Sequence, residues 1–316
     1  MEMREFGKGT GLKIAPLVLG GNVFGWTADE ATSFAVLDAF VAGGFNAVDT
    51  ANVYSRWVPG HTGGESETVI GNWLASRKAR DKIVLITKVG MDMGEAGKGL
   101  KKANIVSSVE ASLKRLKTDV IDVYLSHAPD AETPIEETLQ AHQALIDAGK
   151  VRVAGGSNYD AAGLKAALDA ADATHARYAV LQPIFNLMDR KPYEGELEDL
   201  CAREGIGVFP YYGLASGFLT GKYRSEADYS KSVRGGGMKR YLNEKGLKVL
   251  AALDAVSAKT GASLAQISLA WVMARPSIAA PIASATGVAQ LEELMGAARL
   301  KLDAEALSAL DAASAP

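Results

Sequence analysis

The strongest constraint in this sequence is a repeat of short apolar runs that each end on an ionisable side chain. FNAVD ends at Asp49, IVLITK at Lys88 and VIDVYLSH at His127, at intervals of 39 residues, and Tyr54 follows Asp49 by five. The runs are short and rich in β-branched residues, which reads as strands buried on both faces. An ionisable group at the tip of such a strand is costly to desolvate without a partner. Several such groups at equivalent tips point to one shared cavity at the C-terminal mouth of a parallel barrel.

The alternation of short apolar runs with helical patterns continues along the chain. Strands are predicted at Pro16–Gly20, Asn46–Asp49, Ile83–Lys88, Val120–His127, Val151–Ser157, Ala179–Gln182, Gly207–Tyr211 and Ala279–Ser284. The best marked helix runs from Pro134 to Ala148, with a Thr133/Glu136 capping box, Pro134 at its first position and Gly149 to end it. Another begins near Ile105 with Asn104 as cap and Val109, Leu113 and Leu116 on one stripe.

Repeated βα units give either a doubly wound sheet or a closed barrel. In an open sheet, functional groups gather at one switch point. Here polar residues stand at seven strand tips: Asp49, Lys88, His127, Ser157/Asn158, Gln182, Tyr211 and Ser284. A ring of that kind requires closure. The expected fold is therefore α/β, a single (β/α)8 TIM-barrel domain over residues 1–316. Two additions are legible. Glu5–Val18, turning at KGTG, reads as an N-terminal β-hairpin placed to plug the barrel's bottom. The Gly-rich stretch Ala215–Leu242 after strand seven reads as a functional cover.

Composition narrows the functional classes. With 48% hydrophobic and 22% charged residues among 316, the chain can build a sizeable core. A net charge of −3 argues against nucleic acid or an anionic membrane as partner. No apolar stretch approaches the roughly 20 residues that span a bilayer, and MEMREFGKGTG does not read as a signal peptide. The single cysteine, Cys201, falls on a helix, reads as a buried thiol and suits a reducing cytoplasm. His61, His142 and His175 show no ligand spacing, so no metal is expected.

The tip residues suggest a chemistry. A phenol donates its proton poorly at neutral pH unless its pKa of about 10 falls. An ammonium ~4 Å away, at an effective dielectric of ~20, stabilises the phenolate by on the order of 4 kcal/mol before desolvation. Lys88 can play that part for Tyr54, Asp49 can hold Lys88 charged, and a neutral His127 can hydrogen-bond a substrate oxygen or relay the proton. Such a group suits carbonyl reduction, in which hydride reaches carbon and a proton reaches oxygen.

At full length the sequence resembles the aldo-keto reductases. The resemblance is carried by LVLGGNVFGW, FNAVDTANVYS with GGESETVIGNWL, VLITKVG, SLKRLKTDVIDVYLSH, GKVRVAGGSNY, LQPIFNL, PYYGLASGFLTGKY and PIASATGVAQLEEL. It implies a catalytic tetrad of Asp49, Tyr54, Lys88 and His127 on a barrel that binds NAD(P)H without a Rossmann domain. No GxGxxG opens a helix after a strand here, in keeping with that. By the same resemblance Ser157, Asn158 and Gln182 hold the nicotinamide amide and Tyr211 stacks on its ring. Asp49, Gly21 and Asn22 border the nicotinamide, and Leu214, Gly217 and Lys222 approach the pyrophosphate. Ser284, Gln290 and Glu293 surround the adenosine phosphate, beside a helix N-terminus suited to an anion.

Three positions depart from the family pattern. Tyr212 stands where serine is usual, Leu294 where asparagine is usual, and no basic residue occurs from Ile282 to Glu293. Each charged hydrogen bond to a 2′-phosphate contributes roughly 1.5–3 kcal/mol. The expected cofactor is thus NADPH with weak discrimination against NADH, with Lys222 or Arg234 as substitute cations. Trp26 and Trp57 are expected as apolar walls for a small carbonyl substrate, joined by His127, and Arg56 as a candidate for an anionic group on it. Tyr223, Tyr229 and Tyr241 are expected to approach from the long loop. The sequence leaves open a Schiff-base lyase using Lys88, and a nicotinamide sensor like the potassium-channel β subunits.

Overall fold

The computed structural model describes residues 2–232 and 235–316. Arg234 lies outside the described residues. All eight predicted strands form, as β3 (Val18–Gly20), β4 (Ala47–Asp49), β5 (Val84–Val89), β6 (Ile121–Ser126), β7 (Val151–Ser157), β8 (Tyr178–Gln182), β9 (Gly207–Val208) and β10 (Ile282–Ala283). They pair in parallel in chain order, and β10 returns to lie beside β3. The ring closes through the backbone of Ala279, which donates to Val208 O at 2.7 Å, and of Ile282, which donates to Pro210 O at 2.8 Å. The fold is the expected (β/α)8 barrel. Several strands are shorter than predicted because Pro16, Pro210 and Pro281 have no N–H to give the ladder.

The period-2 pattern sets what faces inward. Ala47, Val84, Ile86, Val123, Leu125, Val153 and Val180 share one buried cluster inside the barrel. The next inward positions up β4 and β5 are Asp49 and Lys88, and His127 continues the same phase just past β6. Apolar layers therefore fill the lower barrel, and polar groups crown it. Alternate residues such as Val48, Leu85 and Tyr124 face outward, into the layer covered by helices.

The hairpin is present as β1 (Arg4–Glu5) paired antiparallel with β2 (Lys13–Ile14). Its Phe6, Leu12 and Ile14 complete the interior cluster, with Phe6 edge-on to Phe209 at 4.9 Å. The plug sits close: a Cβ on Gly207 would meet Gly7 N at 2.4 Å, and one on Gly7 would meet Ala179 O at 2.4 Å. Only glycine fits at both points.

Two helix caps differ from expectation. The helix Ile135–Asp147 starts with Pro134 as its N-cap and no side-chain cap, because the Thr133 hydroxyl donates to Asp130 Oδ2 at 2.6 Å instead. Asn104 lies inside the helix Lys102–Leu116, not ahead of it, and its amide reaches back to Gly99 O at 2.7 Å. Cys201 is buried on the helix Glu196–Glu204 as expected, and burial pushes its thiol up to about 12.

The long connection Ala215–Leu242 folds into short 3-10 stretches at Ala215–Thr220, Glu226–Lys231 and Gly235–Arg240. Its tyrosines do not reach for a substrate. Tyr223 and Tyr241 are buried in the core with Phe218 and Met238, and Tyr229 packs against the same cluster. Their hydroxyls are spent nearby: Tyr223 Oη lies 2.6 Å from Ser232 Oγ, and Tyr241 donates to Asp189 Oδ2 at 2.6 Å. Apolar ring area outweighed the hydroxyl in deciding where these side chains went. Among the described residues, no helix is long and apolar enough to cross a membrane.

Candidate active site

Asp49 ends β4, Lys88 lies near the end of β5, His127 follows β6, and Tyr54 sits in the turn after β4. The four converge. Lys88 Nζ lies 2.7 Å from Asp49 Oδ2, 2.8 Å from Tyr54 Oη and 2.7 Å from Thr50 O. Those three acceptors use all three ammonium hydrogens. Tyr54 Oη lies 3.3 Å from Asp49 Oδ2, a long contact, and the His127 ring stands edge-on to the Tyr54 ring at 6.0 Å. Asp49 Oδ1 accepts from Gln182 Nε2 at 2.9 Å, so the carboxylate is held from two sides.

Lys88 is fully buried and Asp49 nearly so. An ion pair this deep gains little net stability, since desolvation offsets the attraction. Burial, and then the Asp49 charge, hold the Tyr54 phenol well above its ordinary pKa. This corrects the expectation of a lowered value: the resting site keeps Tyr54 as a neutral O–H. Lys88 is lowered by burial, an effect that Asp49 opposes. His127 is held well below 6.5 by burial and by the Lys88 charge, so its imidazole is neutral at pH 7. Its Nδ1 is buried with no partner, which leaves a polar atom in need of one beside the cavity.

A cavity of about 770 Å³ opens over this group. Its walls include Asp49, Tyr54, His127 and Trp57, together with Asn22, Ser157, Asn158, Gln182, Tyr211, Leu214, Gly217, Lys222, Ser284 and Gln290. The structure thus brings most of the sequence-selected residues to one space. Asn158 is a hub. Its amide donates to His127 O at 2.8 Å, and its Oδ1 accepts from Tyr211 Oη at 2.7 Å, which fixes the Tyr211 ring. Ser157 Oγ donates to Gln182 O at 2.9 Å, and Ser284 Oγ donates to Asn22 Oδ1 at 2.5 Å. Gln290 Oε1 accepts from Thr286 N at 2.9 Å where the helix Val288–Gly296 begins.

Lys88 is buried beneath these walls, and besides the loop tyrosines four other expected contributors lie outside them. Gly21 is turned into the barrel wall, its N–H on Asp49 O at 2.7 Å. Glu293 is exposed on the helix Val288–Gly296. Trp26 stands behind Trp57, edge-on at 5.5 Å. Arg56 turns to Asp92, with Nη2 3.9 Å from Oδ1. The walls also include residues that sequence reasoning passed over, among them Val23, Met91, Ala128 and Ser216. Met91 had a readable signal, since it follows Lys88 by three residues on the same connection.

Backbone conformation marks the same place. Of seven non-glycine residues at positive φ among the described residues, Lys78 and Lys117 end helices. Asn158, Tyr212 and Ser216 line the cavity, while Ser55 and Ala215 adjoin lining residues. Such conformations persist where the surrounding structure over-determines them, commonly at functional sites.

Fold and site together define a parallel-barrel protein with a phenol, an ammonium and a carboxylate joined at its C-terminal mouth. The Aldo/keto reductase family model matches residues 16–315, and the chain belongs to that family. It is 35% identical to the uncharacterized oxidoreductase YrpG of Bacillus subtilis (strain 168), over 98% of this chain and 95% of that one. It is 33% identical to a probable voltage-gated potassium channel subunit beta of Arabidopsis thaliana, over 94% of this chain and 91% of the relative. Norsolorinic acid reductase B of Aspergillus parasiticus is 32% identical over 98% of this chain and 83% of its own length. Membership places the chain in an oxidoreductase family.

Proposed function

We propose that this protein reduces an aldehyde or ketone to the alcohol, using NADPH and taking the proton from Tyr54. The observation that carries the reading is the Tyr54 hydroxyl, 2.8 Å from a buried ammonium and facing a cavity beside a neutral histidine. The cavity suits a nicotinamide dinucleotide. Amide and hydroxyl groups of Ser157, Asn158 and Gln182 lie at its floor, Tyr211 offers a fixed ring, and Lys222 and an uncapped helix start at Gly287 suit phosphate. When bound, that cofactor would supply the hydride to the carbonyl carbon.

The chain's own residues do the rest. Tyr54 gives up only a 3.3 Å contact with Asp49 when its O–H turns to a substrate oxygen. As the proton leaves, Lys88 stabilises the phenolate, and Asp49 keeps Lys88 charged. His127, neutral and on the cavity wall, hydrogen-bonds the same substrate oxygen. Lys88 suits this role better than a Schiff base, because its three hydrogens are committed to Asp49, Thr50 and Tyr54.

Among the described residues, Lys222 is the only lysine or arginine in the cavity's walls. One cation supports NADPH use with weak discrimination against NADH. The test is loss of NADPH absorbance with a panel of aldehydes and ketones. Tyr54→Phe should lower kcat by about 10²–10⁴-fold, the usual worth of a positioned proton donor, with cofactor affinity nearly unchanged. A kcat within tenfold of wild type would end Tyr54's assignment. A kcat/KM ratio for NADPH over NADH above about a thousandfold would end weak discrimination. Tight cofactor binding with slow turnover of every carbonyl would favour a nicotinamide-sensing role instead.

A further inference from the structure

We propose that Thr50 and Ser66 are positioning residues: their hydroxyls clamp the Thr50 carbonyl in place, and that carbonyl keeps the Lys88 ammonium aimed at Tyr54. The inference rests on the carbonyl-reductase reading and adds to it two residues that do not line the cavity. Lys88 carries its charge on a flexible four-carbon stem. Of the three acceptors around its Nζ, Asp49 Oδ2 and Tyr54 Oη sit on side chains that can rotate, and the Tyr54 oxygen changes charge as its proton leaves. Thr50 O, at 2.7 Å, belongs to the backbone. Where this carbonyl points decides where the ammonium rests.

A closed set of hydrogen bonds fixes it. Thr50 N donates to Ile86 O at 2.8 Å, just past the last paired residues of β4 and β5. By strand parity the Thr50 side chain faces away from the barrel interior, and its Oγ1 lies 2.8 Å from Ser66 Oγ on the helix Glu65–Arg77. Ser66 gives its one hydrogen to Gly21 O at 2.7 Å, so Thr50 is the donor to Ser66. Gly21 N donates in turn to Asp49 O at 2.7 Å, which closes a ring around the Asp49–Thr50 peptide. A Cβ on Gly21 would meet Ser66 Oγ at 2.9 Å and Asp49 O at 3.0 Å, so a side chain there would push the ring apart. The turn of Gly21 into the wall thus has a purpose.

Folding does not need these hydroxyls. Thr50 and Ser66 are fully buried, in a layer where Val48, Ile70 and Leu74 supply the packing. Valine at 50 and alanine at 66 would fill nearly the same space, and replacing both partners of a buried hydrogen bond by apolar groups is nearly neutral for stability. Gly21 O would keep a second donor, Phe24 N at 2.9 Å. What the pair adds is direction. Thr50 bonds inward to the reacting group through its carbonyl and outward to a helix through its hydroxyl, and so ties the ammonium to the barrel's outer layer.

The experiment is Thr50→Val, which keeps the side chain's shape and removes the hydroxyl. With NADPH and the carbonyl that wild type reduces fastest, kcat should fall about 10–30-fold while the KM for NADPH stays within about twofold. The urea midpoint should barely move. Thr50→Ser should recover most of the loss, and Ser66→Ala should show a smaller loss of the same kind. In a Lys88→Met background, Thr50→Val should cost no more than about twofold, because the two residues act through one group. A second readout needs no turnover. In protein with isotope-labelled lysines, the ammonium NMR signal that Lys88→Met removes should shift, and exchange faster with water, in Thr50→Val. An active enzyme whose kcat ignores Thr50→Val, or loses the same factor with and without Lys88, would overturn the positioning role alone. An ammonium signal unmoved by Thr50→Val would overturn it whatever the turnover. A moved signal in a protein that reduces no carbonyl would uphold the positioning of Lys88 and defeat the reductase reading instead.

Discussion

The barrel buries a carboxylate–cation pair at each end, and the two behave differently. At the bottom, Asp122 accepts from Arg80 at 2.7 Å, Arg152 at 3.0 Å and Leu85 N at 2.8 Å. Arg80 spends its remaining hydrogens on Ile83 O, Val120 O and Thr118. A hollow of about 330 Å³ beside it also carries Asp81 and Asp119, so acid and base offset each other there. At the top, the Asp49–Lys88 pair is as short and more deeply buried, yet it ends on a phenol whose hydrogen has only a 3.3 Å acceptor. Burial of charge does not distinguish a working site from a strut. An unspent donor facing a cavity does.

Mutations can break this contrast. The largest effect is expected for Lys88→Met, which leaves Asp49 buried and unpaired. Activity should fall by about a thousandfold or more, and urea denaturation should show a loss of about 3–5 kcal/mol. Adding Asp49→Asn should recover much of that stability and none of the activity. If the double variant regained turnover, the top pair would be only a strut. Asp122→Asn should show the reverse profile: about 2–4 kcal/mol lost in the same unfolding measurement, with kcat/KM changed by no more than severalfold. A collapse of activity in the folded variant would join the bottom pair to the mouth.

The last effect depends on pH and leaves stability near neutral pH and activity unchanged. His142 is buried behind β6, with Nε2 3.1 Å from Ser126 Oγ, and burial lowers its pKa from 6.5 to about 4. The unfolded chain therefore takes up this proton first on acidification. Stability should fall as pH drops from 6.5 towards 4 and the contribution should level off below that, amounting to on the order of 3 kcal/mol. In His142→Gln the slope of unfolding free energy against pH should be flatter across that window. An unchanged slope would show that other groups, His127 among them, carry the acid sensitivity.

Much of this was legible in the sequence because it is local. The alternation in FNAVD and IVLITK sets inward and outward faces over a few residues, so Asp49 and Lys88 could be placed on inward tips before any packing was known. Closure followed from counting polar tips, and the hairpin from KGTG. Thr133 and Asn104 misled, because each has a nearby partner that competes with its helix end: Asp130 for the first and Gly99 O for the second. Tyr223 and Tyr241 misled because a tyrosine on a glycine-rich loop reads alike whether its ring packs inward or meets a ligand.

The sequence by itself determined which residues point into the barrel, since side-chain direction along a strand depends only on parity. It also determined the residue types available to the mouth. Tertiary structure alone decided that Tyr54 rests as a neutral phenol, that Arg56 is diverted to Asp92, and that Trp57, Met91 and Tyr212 share one opening. Desolvation and the pairing of charges depend on atoms far apart in the chain, so their outcome exists only once the barrel has closed.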